Sequence, residues 1–187
     1  MTKTEGPAAR DTAILAGGCF WCLEAVFKEV DGVESVTSGY IGGRLDAPTY
    51  RQVCDGGTGH AEAVQIVFDP ALVSYRDLLE IFFVIHDPTS LNRQGNDIGT
   101  QYRSAIFATS DEQLHTALDL IEHMGEARLY PSAIVTKIER AGTFWPAEDD
   151  HHDYYAKNTD QPYCQYIVAP KIAKFREKFA SRRRRGG

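Results

Sequence analysis

The sequence has no long apolar run. Its longest, Ile81–Ile85, falls far short of the roughly 18–20 residues that cross a bilayer, so no membrane partner is expected. The opening MTKTEGPAARD is polar and lacks the apolar stretch of a secretory signal, so a cytoplasmic location is expected. Cysteine is sparse, at four residues in 187. In a chain read as cytoplasmic that is too few for a disulfide scaffold, which points to reactive or metal-binding thiols. Metal-ligand spacing is missing as well. Cys19-x-x-Cys22 has no second C-x-x-C and no H-x3-H to complete a zinc site, so no metal is expected. Positive charge is short, with 20 Lys and Arg against 26 Asp and Glu and a net charge of −6. Four of those arginines stand together at Arg182–Arg185, and without them the balance is −10. An acidic body of this kind is a poor nucleic-acid binder. Residues 181–187 read as a solvated, disordered basic tail.

What is present is the composition of a folded domain, with 43% hydrophobic and 25% charged residues, both near globular averages. No internal repeat or long linker is visible, so one domain over 11–180 is expected behind a flexible leader at 1–10. Thr12–Ala16 reads as a short buried strand. Phe20, Leu23, Val26, Phe27 and Val30 recur at helical spacing and predict a helix over Cys19–Val30. Val33–Ile41 reads as a strand, and 42–61 as a loop long enough to be functional. Glu62, Val64, Ile66 and Phe68 alternate as in a strand. Ser74, with Asp77 three residues on, caps a helix to His86, and Ser110 with Gln113 opens another to about Arg128. Between them lie a polar loop at 87–99 and a strand at Tyr102–Ala108. Ala133–Ile138 predicts a fifth strand, Glu148–Lys157 a short helix and Pro170–Phe179 a final amphipathic helix. The order predicts an α/β sandwich with a mixed or antiparallel sheet and flanking helices.

Gly17-Gly18-Cys19-Phe20-Trp21-Cys22 joins a buried strand to a helix. A thiol at a helix start faces unpaired N–H groups and the positive dipole end, which lowers its pKa and makes a nucleophile. Cys22 lies three residues on, and the pair could close a disulfide as in redox helices. An aromatic wall from Phe20 and Trp21 beside a thiol suits a soft, methyl-bearing sulfur group. Glu62 shares the inward strand face with Val64, Ile66 and Phe68. Desolvation there raises its pKa and would hold it protonated as a general acid, although a strand-end Glu tied to a base is equally compatible. Tyr102 shares a face with Ser104 and Ile106, and Tyr50 stands in the long loop. Both are candidates for hydroxyl contacts or for simple packing.

Together these segments resemble the A-type peptide methionine sulfoxide reductases. The matching stretches are GGCFWC at 17–22, SGYIGG at 38–43, PTYRQVCDGGTGHAEAVQIVFDP at 48–70, HDPTSLNRQGNDIGTQYRSAIF at 86–107 and PAEDDHHDYY at 146–155. The resemblance spans about residues 12–170. It implies a ferredoxin-like α/β sandwich with long loops, in which 11–180 is one catalytic domain. It implies Cys19 as nucleophile, Phe20 and Trp21 as the wall for the substrate methyl group, and Glu62 as the acid on the sulfoxide oxygen. Tyr50 and Tyr102 would add hydroxyl contacts, and Asp97 would position a water or the substrate. The substrate would be methionine-S-sulfoxide, free or in proteins, reduced through a Cys19 sulfenic acid and then an intramolecular disulfide. Thioredoxin, or dithiothreitol in vitro, would recycle the enzyme. No bound cofactor is implied, and a monomer is expected.

Two cysteines compete to resolve the sulfenic acid. Cys164, in a turn-rich segment, matches a common family position. Cys22 departs from members with Gly there, and closing a bond to Cys19 inside a helical turn would need local unwinding; a relay through Cys22 is a third route. Cys54 reads as structural. Two other functions compete. One is a general dithiol–disulfide oxidoreductase using Cys19 and Cys22, which would predict a thioredoxin-like strand order. The other is a zinc-stabilised binding module.

Overall fold

The computed structural model describes residues 9–185, so most of the leader and the last two glycines lie outside the described residues. Eight strands are β1 (Asp11–Ala16), β2 (Val33–Ile41), β3 (Ala61–Phe68), β4 (Arg93–Gln94), β5 (Asp97–Ile98), β6 (Ala105–Ala108), β7 (Lys137–Arg140) and β8 (Trp145–Pro146). The helices are α1 (Phe20–Phe27), α2 (Tyr50–Cys54), α3 (Tyr75–Ile85), α4 (Asp111–Glu126), α5 (Tyr154–Lys157) and α6 (Ala169–Lys178). Six strands form a mixed sheet in the order β7-β6-β1-β3-β2-β8. Its pairs are antiparallel except β6 with β7. In the centre, α1 carries the chain from β1 past β3 to β2, and α3 carries it from β3 past β1 to β6. That is the β-α-β-β-α-β unit of a ferredoxin-like sandwich.

Alternation decides which face is the core. Val64, Ile66 and Phe68 of β3 point to the helix side and pack with Leu23 and Phe27 of α1, Leu78 and Phe82 of α3 and Phe175 of α6. Burying each such side chain contributes about 1.5–3 kcal/mol. The intervening Ala61 and Ala63 face the other side, where Ile14, Ile41 and Phe107 form a smaller cluster under Phe144. The Ser74 cap is reciprocal: Ser74 accepts from the Asp77 N–H, and the Asp77 carboxylate accepts from the Ser74 N–H.

Several elements differ from the sequence prediction for tertiary reasons. The long loop contains α2, capped by Thr49 and Gln52 in the same reciprocal way, and 87–99 contains the β4–β5 hairpin. Tyr102 ends a 3-10 turn instead of starting a strand. The fifth strand starts later, at Lys137, because the Val135 N–H donates to the Pro88 carbonyl at 2.7 Å and Thr136 bonds the Ser104 hydroxyl at 2.7 Å. The helix expected over 148–157 is split into a 3-10 turn at Asp149–His151 and α5. At the break Asp153 is left-handed (φ 58°) and its N–H donates to the buried Glu24 carboxylate.

Ser181–Arg185, expected as a loose tail, is instead bonded to the body. Arg182 pairs with Asp77 at 2.9 Å, Arg183 forms an antiparallel bridge with Val30, and the Arg184 guanidinium donates to the Val33 carbonyl. The reason is tertiary: folding brings the carboxylates of Glu29 and Asp77 and the Val33 carbonyl together as acceptors for the arginine forks.

The turn from β1 into α1 is set by close approach. Gly18 has φ 91°, and a Cβ there would sit 2.8 Å from Cγ of Gln94. We expect Gly18→Ala to destabilise the protein by about 1–3 kcal/mol, read as a lowered thermal midpoint; an unchanged midpoint would contradict this packing.

Candidate active site

Cys19 is the N-cap of α1, with extended backbone (φ −65°, ψ 128°). Cys22 is therefore the third helical residue, and its N–H donates to the Cys19 carbonyl at 3.1 Å. The two thiols lie close enough to shift each other's titration. The direction expected for the Cys19 thiol is reversed. Cys19 is only 7% exposed, and burial pushes its pKa well above the ordinary range, with the Cys22 hydrogen bond and the Glu62 charge adding to the shift. The neighbouring Tyr163 hydroxyl opposes the shift. Cys22 shifts down, first through the bond from Cys19 and then through the Lys171 charge, against its own burial.

Glu62 lies where the alternation puts it, inward and 1% exposed. Its Oε1 accepts the Phe20 N–H at 3.2 Å. Its Oε2 is buried with no partner in the structure. Burial pushes the carboxyl up to about 8, against the opposing Phe20 hydrogen bond. At neutral pH it therefore holds a proton, with one oxygen free of any hydrogen bond among the described residues.

Phe20 and Trp21 divide the wall between them. Phe20 is fully buried against Tyr40, Tyr50 and His151, at ring distances of 5.7, 6.2 and 5.5 Å. Trp21 is partly exposed, lies flat on Tyr154 at 3.7 Å and donates its indole N–H to His151 at 3.2 Å. Tyr50 starts α2, with its backbone N–H held by the Glu148 carboxylate, which also accepts the Tyr40 hydroxyl at 3.1 Å. Burial and then the Glu62 charge raise the Tyr50 and Tyr102 hydroxyls, so both stay protonated donors. Asp97, on β5, accepts the Tyr163 hydroxyl at 2.7 Å.

The geometry thus gathers Cys19, Glu62, Tyr50, Tyr102, Asp97, Phe20 and Trp21 around the start of α1. Cys164 is buried in a π-helical turn before α6. After its own burial, the largest influence on its thiol is Cys22. Cys54 is exposed, and burial raises its thiol against an opposing influence of the Tyr50 hydroxyl. All four cysteines are unpaired. Sequence reasoning missed Tyr163, His151, Tyr154 and Glu148. Their long-range partners leave no periodic signal; the only local hint was the dense PAEDDHHDYY run and the Tyr preceding Cys164.

A cleft of about 1000 Å³ runs from Cys19 between the β4–β5 hairpin and the Tyr163–Lys178 segment. Among the described residues no three His, Cys, Asp or Glu side chains are grouped as metal ligands, and no helix is long and apolar enough to cross a membrane.

Known proteins resemble this chain in sequence and in fold. The sequence profile of the family described as peptide methionine sulfoxide reductase matches residues 11–183. The peptide methionine sulfoxide reductase MsrA of Ralstonia nicotianae is 54% identical over 185 residues, covering 97% of this chain and 96% of the relative. The reduced form of Mxr1 from Saccharomyces cerevisiae superposes with a TM-score of 0.78 at 37% identity, covering 87% of this chain and 94% of that one. Mxr1 in complex with Trx2 superposes with a TM-score of 0.56 at 26% identity, covering 82% and 90%. With the profile spanning nearly all of the described fold and more than half the residues identical to a curated relative, this chain belongs to the peptide methionine sulfoxide reductase family.

Proposed function

We propose that the protein reduces methionine-S-sulfoxide, free or in oxidised proteins, with Cys19 as nucleophile and Glu62 as acid. The observation that carries this is the neutral, buried Glu62 carboxyl, with Oε2 unpartnered and Oε1 on the N–H of Phe20, the residue after Cys19. A sulfoxide oxygen is a poor leaving group until it is protonated. Glu62 donates its proton to that oxygen while the Cys19 sulfur attacks the substrate sulfur and forms an S–S bond; the oxygen then passes to the Cys19 sulfur as that S–S bond and the substrate S–O bond break, which releases methionine and leaves Cys19 as a sulfenic acid. The Cys19 proton lost in the attack restores Glu62, so the proton count balances. Tyr50 and Tyr102 add hydroxyl donors to the oxygen. Phe20 and Trp21 receive the methyl group, and Asp97 orients Tyr163. The raised Cys19 pKa fits a thiol that deprotonates only as substrate arrives, when the Tyr163 proton can turn from Asp97 to the forming thiolate.

Cys22 then attacks the sulfenic sulfur and expels water, forming the Cys19–Cys22 disulfide. The contact between the two thiols and the downward shift of Cys22 support this order over direct attack by Cys164. Exchange with Cys164 follows, because that thiol senses Cys22. A small dithiol protein of the thioredoxin class recycles the enzyme; the solved complex of yeast Mxr1 with Trx2 supports this. No bound cofactor enters this scheme. Four unpaired thiols support a cytoplasmic, reducing location. One chain carries every residue in the scheme, which supports a working monomer of a single catalytic domain, and its acidic body argues against a nucleic-acid partner. A general dithiol–disulfide oxidoreductase is the competing reading, and the strand order does not favour it.

Dithiothreitol with methionine-S-sulfoxide should yield methionine in the wild type; none from folded, reduced protein would overturn the reductase reading. Glu62→Gln keeps a hydrogen bond but no acid proton, so its rate should fall about 10²–10⁴-fold, and a rate within a factor of two would remove the acid role. The Glu62-dependent rate should also decline as pH rises through about 8; a profile flat across that range would contradict it. Stability carries the same signature. Unfolded Glu62 loses its proton near 4.5 and folded Glu62 near 8. Between these values the unfolded state binds fewer protons, and stability falls as pH rises. Glu62→Gln should lack that component of the fall, so thermal melts of the two proteins at pH 5 and pH 8 should diverge at the higher pH. For the resolving step, Cys22→Ser should stall at a sulfenic acid that a carbon nucleophile can trap, while Cys164→Ser should still form one disulfide per turnover. Rapid Cys19–Cys164 bonding in Cys22→Ser would return the resolving role to Cys164.

A further inference from the structure

The cleft that starts at Cys19 carries charge that the sulfur chemistry does not use. Lys171, Lys174 and Lys178 line one wall. At spacings of three and four residues on α6 they share a helix face. Lys171 is half-buried, and Lys174 and Lys178 are exposed. Among the described residues none of the three forms a salt bridge. Arg176, on another face of the same helix, is paired with Glu29. Two carboxylates also line the cleft and are already engaged. Asp87 accepts from the Thr89 N–H and hydroxyl at 2.9 and 2.6 Å, and Asp97 accepts from Tyr163. Leu129 and Tyr166, 63% and 76% exposed, add an apolar ledge of the kind that marks contact surfaces.

We propose that this cleft holds the polypeptide flanking the oxidised methionine and selects acidic segments, through the row Lys171, Lys174 and Lys178. The proposal rests on the reductase reading and names the substrate class for it. The row spans about 10 Å along α6, which matches about three residues of an extended peptide. The chain as a whole is acidic, at −6, and repels negative peptides at long range. The lysine row is a local exception that begins where the reacting sulfur must sit. Arrival of an acidic segment would supply the counter-charges these ammonium groups lack.

The test uses the full-length protein, reductant in excess, and three synthetic peptides that carry one methionine-S-sulfoxide flanked on both sides by Glu, Ser or Lys. Free methionine-S-sulfoxide is run alongside in the wild type. At low ionic strength the Glu peptide should show a KM about three- to ten-fold below that of the Lys peptide, and the difference should collapse at about 0.5 M salt. Lys174→Glu/Lys178→Glu should invert the KM order of the Glu and Lys peptides. Equal KM values at low salt, or an order that the double variant leaves in place, would overturn the cleft assignment. So would a variant whose KM changes only for reduced thioredoxin, because the row would then serve the reductant. Failure of the wild type to reduce the free amino acid would instead overturn the reductase reading itself.

Discussion

The hydrogen bond from the Phe20 N–H to Glu62 Oε1 joins the start of α1 to the start of β3, and the site is arranged around it. It occupies one carboxyl oxygen and leaves the other without a partner, in a position sealed by the core. A carboxylate would be costly there, so the group stays neutral. The same contact fixes the first turn of α1, which places Cys19 as N-cap and Cys22 against it. Residue 62 of β3 and residue 20 of α1 meet because β1 and β3 are neighbours and the β1–α1 turn is too tight to drift. Gly18 permits that tightness and Gln94 limits it.

Two opposing forces act on Cys19, and their balance shapes the chemistry. A helix start favours a thiolate by a modest amount that weakens with distance from the terminus. Burial disfavours it, and at 7% exposure burial prevails. Burial thus keeps the Cys19 thiol and the Glu62 carboxyl both protonated at neutral pH. Such a site is guarded against adventitious oxidants, since reactivity toward them follows thiolate character and exposure. The Cys22 thiol influences Cys19 directly, and the buried Cys164 is influenced in turn by Cys22.

Much of this was legible in the sequence because the deciding forces were local. Ser74 and Asp77 announce a cap, the alternation of Glu62, Val64, Ile66 and Phe68 sets a face, and Gly17-Gly18-Cys19 marks a strand-to-helix turn. The family resemblance supplied Tyr50, Tyr102 and Asp97, whose positions no periodicity reveals. What escaped was long-range. Asp153 is left-handed because Glu24, 129 residues earlier, takes its N–H. Tyr163 entered the site through Asp97, 66 residues away. The arginine run looked like a solvated tail because its partners, Asp77, Glu29 and the end of α1, are close only after folding.

The central claim is that burial keeps Glu62 neutral at the pH at which the enzyme works. Following the Glu62 side-chain carboxyl by carbon NMR while the pH is raised, with Glu62→Gln used to assign the signal, tests this directly. A midpoint near 8 is the value the account predicts. A midpoint near the ordinary 4.5 would mean that Glu62 is a carboxylate in the working enzyme, and the proton for the sulfoxide oxygen would have to come from another group.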